Sequence, residues 1–68
     1  MYATQAQARY MTRIRRAALN ETYGTLLNPT LHPALRARLA GVAQAQEDRL
    51  IEALRAVEAF DEFAALAA

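Results

Sequence analysis

The chain has no cysteine, no lysine and no tryptophan, and only two glycines, two prolines and one histidine among its 68 residues. Each shortage excludes something. Without cysteine there is no disulfide to staple a small fold. With a single histidine and no thiolate, a conventional zinc site lacks ligands, so no metal and no other cofactor is expected. At this length there is room for one domain at most, and its core is marginal without association. Oligomerisation is a common solution for chains of this size.

No stretch approaches the roughly 18 apolar residues of a membrane span. The N-terminus lacks the basic region and apolar core of a secretory signal. A cytoplasmic location, with no membrane contact, is the expectation that follows. The β-branched residues are few, being Ile14, Ile51, Val42, Val57 and a handful of threonines. What remains is rich in helix formers. Alanine alone supplies 17 positions, and Leu, Arg, Glu and Gln fill most others. Alanine gains little on burial, so the apolar content rests on a small number of larger side chains.

The near-neutral total of +1 conceals a division. Residues 1–40 carry six Arg and one Glu, a balance of +5, whereas residues 41–68 carry two Arg and six acids, a balance of −4. An antiparallel arrangement would bring these halves together, with Arg9, Arg13 and Arg16 near Glu52, Glu58 or Glu62. Each exposed pair would add a few tenths of a kcal/mol to about 1 kcal/mol, enough to favour a register but not to hold a fold.

Periodicity predicts two helices. The first spans about residues 3–27. Tyr10, Met11, Ile14, Ala17 and Ala18 recur on one face, and Leu19, Tyr23, Leu26 and Leu27 form a second cluster rotated from it. Either the helix breaks near Asn20, or it is continuous and meets two different neighbours; a continuous helix is the expectation. Residues 28–32 form a loop, because Pro29 and Pro33 restrict the residues before them, and Pro33 suits the first turn of a new helix. The second helix spans about residues 33–66. Leu35, Leu39, Val42, Gln46, Leu50, Leu54, Val57, Phe60 and Ala64 recur at spacings of three and four. The expected fold is therefore all-α, a single module over residues 1–68, built as a two-helix antiparallel hairpin completed into a small bundle by self-association or a partner. Leu35, Leu39, Val42, Leu50, Leu54 and Val57 are expected inside. The second helix is expected to outrun the first at its C-terminal end, leaving Phe60, Phe63 and Leu66 open.

Candidate chemistry is sparse. His32 sits in the proline-bracketed loop with no adjacent nucleophile, and a turn or helix-capping role accounts for it. Asp48 with Glu52 and Glu58 with Glu62 share helix faces, but the Glu-x-x-His pattern of helical di-metal sites is absent. Arg9, Arg13, Arg15 and Arg16 form the one basic cluster, with Tyr10 inside it as a possible stacking group. They are the candidate nucleic-acid-binding residues, against the plainer reading of a solvated or internally paired face. Tyr10, Phe60, Phe63 and Leu66 are the candidate protein-interface residues, since aromatic groups anchor such surfaces. No water-excluded pocket or catalytic set is evident, so no enzyme activity is expected. The expected function is that of a small adaptor, accessory subunit or co-chaperone-like protein-binding module, in a homo-oligomer or a hetero-complex. The alternative is a small nucleic-acid-binding protein using the Arg9–Arg16 cluster.

Overall fold

The computed structural model describes residues 2–67 as an all-α hairpin of two packed helices, α1 (Gln5–Leu26) and α2 (Pro33–Ala67). The caps explain the boundaries. Thr4 is extended and accepts a hydrogen bond on its Oγ1 from the Gln7 backbone N–H at 3.1 Å, while Gln7 Oε1 accepts from the Ala3 N–H at 2.8 Å. This is a variant of the reciprocal capping box, in which two otherwise unpaired donors are satisfied at once. It moves the start of α1 two residues beyond the expected Ala3.

α1 ends where Asn28-Pro29 cannot continue it. Asn28 Oδ1 accepts from the Thr30 N–H at 3.0 Å and from the Thr30 hydroxyl at 2.8 Å, which closes a tight turn. Arg36 reaches back from α2 and donates to the carbonyls of Leu26 and Asn28 at 2.7 and 2.8 Å, covering acceptors that the end of α1 leaves free. His32 caps α2. Its Nδ1 accepts from the Ala34 N–H at 3.1 Å, directly before Pro33 in the first helical position.

α1 is continuous through Asn20. Its buried and half-buried residues include Ala8, Thr12, Arg15, Leu19, Thr22 and Leu26, spaced alternately by four and three. On α2 the corresponding set is Leu39, Ala43, Gln46, Leu50, Ala53, Val57 and Phe60, with the same alternation. A repeat of about 3.5 residues on both helices is the signature of a coiled-coil seam. The seam is built from small and polar groups. Ala8 and Ala53 are fully buried, Ala43 nearly so, and Leu19 is the one larger side chain in the core, at 7% exposure.

Two positions of the expected core on α2 lie outside it, and α1 buries only one of its two apolar clusters. On α1 the first apolar cluster, with Tyr10, Ile14 and Ala17, is open to solvent, while the second supplies the buried Leu19 and half-buried Leu26. Leu35 and Val42, assigned to the interior of α2, are also exposed. The reason is geometric: on α1 a single partner helix covers one narrow stripe, the one through Leu19 and Leu26, and Leu35 and Val42 lie in the part of α2 that runs past the end of α1.

Register is marked by hydrogen bonds across the seam. Thr22 donates to Gln46 Oε1 at 2.6 Å, Tyr23 donates to Glu47, and Arg9 donates to Asp61 at 3.1 Å. Continuing that register sets Leu26 level with Ala43, Leu19 with Leu50 and Thr12 with Val57. The N-terminal end of α1 therefore lies beside the C-terminal end of α2. The unmatched length falls at the loop end, where residues 33–42 run about 15 Å past α1. The expected overhang at Phe60–Leu66 is thus corrected.

Candidate protein-binding flank

The hairpin has two unlike sides. At about 100° per residue, Gln5, Arg9, Arg13, Arg16 and Tyr23 lie along one flank of α1, and Met11, Ile14 and Ala18 along the other, with Tyr10 at the back. The first flank is bridged to α2. Gln5 and Arg9 both donate to Asp61 Oδ1, and Tyr23 donates to Glu47. Asp61, rather than the expected Glu52, Glu58 or Glu62, makes the one ion pair found among the described residues, and both its members are about half exposed. Such a pair contributes modestly and weakens with salt.

Arg9, Arg13 and Arg16 also line an open groove of ≈ 560 Å³ with Ala6, Thr12, Leu54 and Val57. Arg15 does not join them. It lies in the seam, half-buried, and its Nε is buried without a hydrogen-bond partner. The four-arginine cluster of the sequence is therefore divided, with Arg9 paired to Asp61, Arg15 turned inward, and Arg13 and Arg16 left on the bridged side.

The other flank carries no bridge across the seam among the described residues. Ile14 is 41% exposed, Leu35 and Val42 46% each, and Phe63 73%. Phe60, Met11 and Ala18 are half-buried beside them. Tyr2, Ala56, Ala59, Phe60 and Phe63 line an open groove of ≈ 660 Å³ with Glu52 and Arg55. Of the four expected interface residues, Phe60 and Phe63 face this side, whereas Tyr10 lies at the back of α1, about 160° around from Ala8 and Thr12. Leu66, at 87% exposure, is turned about 60° further, onto the back of α2. Sequence reasoning assigned Leu35 and Val42 to the core because they are large, apolar and helically spaced, and placed Ile14 only in the first cluster of α1. For Ile14 the signal was the double stripe of α1, which one neighbour cannot cover.

Among the described residues no group of three or more His, Asp or Glu side chains could hold a metal ion. No helix among them is long and apolar enough to cross a membrane. No family model, curated protein or solved structure matches the chain.

Proposed function

We propose that the chain is a non-catalytic helical module, an adaptor or accessory subunit, that works by packing its unbridged flank against protein. The observation that carries this reading is the segregation of exposure. Ile14, Leu35, Val42 and Phe63 are exposed away from the polar bridges, and Tyr23 and Ile51 are the exposed large groups on the bridged side. An aligned row of exposed Phe, Ile, Leu and Val on so small a chain resembles the apolar centre of an interface rather than the scattered single groups found on any surface.

The nucleic-acid reading has less support. Arg9 is occupied by Asp61, Arg15 lies in the seam, and Arg36 is held by backbone carbonyls. Only Arg13 and Arg16 remain beside one another, across a groove whose far wall belongs to the acidic helix.

A photoreactive amino acid placed at Val42, and separately at Arg13, tests the two readings in the producing cells. Protein adducts at Val42 and few adducts of any kind at Arg13 are expected. Nucleic acid captured at Arg13, with nothing at Val42, would overturn the protein-binding reading.

A further inference from the structure

We propose that the part of the unbridged flank level with α1, from Ala43 to Phe63 on α2, is covered by a second copy of this chain, giving a two-fold symmetric four-helix bundle with both loops at the same end. The proposal rests on the protein-binding reading of that flank and names its occupant.

Surface area is the first support. A folded monomer of 7.5 kDa exposes about 4,200 Å², whereas the hairpin exposes 5185 Å². The excess of about 900 Å² matches the roughly 800 Å² that each partner contributes to an interface of ordinary size. The hairpin is also elongated for its length. The radius of gyration is 15.5 Å and the molecule measures 53 × 15 × 14 Å. A compact domain of this length has a radius of about 11 Å, and one of twice the length about 14 Å. Two hairpins laid flank to flank make a thicker body without added length.

The two stripes of α1 give the second support. Leu19 and Leu26 serve α2 of the same chain, which leaves Ile14 and Ala18 for another helix. A two-fold axis parallel to the helices sets α1 of each copy against α2 of the other at the same level. Ile14 then meets the small Ala56 of the second copy. Charge selects this arrangement. Glu21 is the only acid on α1, it is exposed, and it faces this side. The residue level with it on the same flank of α2 is Arg49, also exposed. The parallel axis brings Glu21 to Arg49 of the second copy, twice over. A perpendicular axis, with loops at opposite ends, sets α1 against α1 and can bring Arg49 against Arg49.

Because the chain lacks cysteine, introduced thiols report the geometry without background. Two separately tagged single variants, Ile14→Cys and Ala56→Cys, are mixed and oxidised under mild conditions, with Arg13→Cys as a comparison on the bridged side. A mixed Ile14→Cys/Ala56→Cys disulfide in high yield is expected, with little product from Arg13→Cys. Ile14→Cys joined only to itself would overturn the parallel arrangement. Sedimentation equilibrium of the unaltered chain at micromolar concentration should give twice the chain mass. Ile14→Glu should raise the dissociation constant about 30-fold or more, the loss typical of a central interface residue, and Ile51→Glu on the bridged side should change it little. A monomer mass with a concentration-independent unfolding midpoint would overturn the second copy. So would a dimer indifferent to Ile14→Glu. If the chain is monomeric yet Val42 photocrosslinks to a different protein, the protein-binding reading stands and the second copy alone is lost.

Discussion

Replacing Arg15 by Met is expected to stabilise the hairpin. Arg15 occupies the seam between Thr12 and Leu19, and its Nε is buried without a partner. A buried donor left unsatisfied costs about 1–3 kcal/mol. The side chain is only half-buried, so the lower end applies, about 1 kcal/mol. Met keeps an unbranched stem of similar reach and removes the donor and the charge, while rotamer entropy changes little because both side chains are long and flexible. For a domain of this size 1 kcal/mol corresponds to roughly 4–8 °C in the unfolding midpoint. Circular dichroism melts at one fixed protein concentration measure it, since any association would otherwise shift the midpoint by mass action. Arg13→Met, on the solvent side of the same helix, should stay within about 0.5 kcal/mol of the parent. Arg15→Ala separates the stem from the donor. It removes both, and should fall below Arg15→Met by the packing the stem supplied. A midpoint that drops for Arg15→Met while Arg13→Met leaves it unchanged would refute the reasoning, and would mean that the guanidinium holds the seam together.

Leu19→Ala removes the one larger side chain of the core and should cost about 2–4 kcal/mol, a large share of what a chain this short can hold. Loss of most of the ellipticity at 222 nm at 37 °C is the expected readout, and a near-parental melt would contradict the seam described here. Thr4→Ala deletes the cap of α1 and should cost about 1 kcal/mol, seen as faster amide exchange in the first turn while the end beside the loop is unaffected. Arg13→Gln with Arg16→Gln should leave helicity and oligomeric mass unchanged. It should abolish only weak, salt-sensitive oligonucleotide binding in anisotropy titrations from about 50 to 200 mM salt. Binding tighter than about 1 μM at the upper salt, lost in this double variant, would favour the nucleic-acid reading.

Much of the candidate site was legible as composition but not as placement. Tyr10 and Phe63 stood out as aromatic groups on an alanine-rich chain, and both are exposed, Phe63 on the unbridged flank and Tyr10 at the back of α1. Leu35 and Val42 belong to the same flank as Phe63 yet read as core, because a helical wheel shows which residues share a face and not whether anything covers that face. The capping box at Thr4 and Gln7 was present in the sequence as Thr-x-x-Gln and would have fixed the start of α1. Arg36 carried no such signal, since its contacts with Leu26 and Asn28 depend on how the loop folds back.

By itself the sequence determined the two helices, the firm boundary at Asn28-Pro29 and His32-Pro33, and the opposed charge of the two halves. These are local or compositional properties, set by helix propensity, by the restricted backbone around proline and by residue counts. The tertiary structure decided which stripe of α1 is buried, which end of α2 stands free, and which arginines face water. Those depend on register, and register comes from contacts between residues far apart in the chain. Small residues at Ala8, Ala43 and Ala53 can line a seam only when the facing helix presents a fitting set at the same level. The Thr22–Gln46 and Arg9–Asp61 bonds then hold that level, and Tyr10 and Ile14 are turned outward as a consequence.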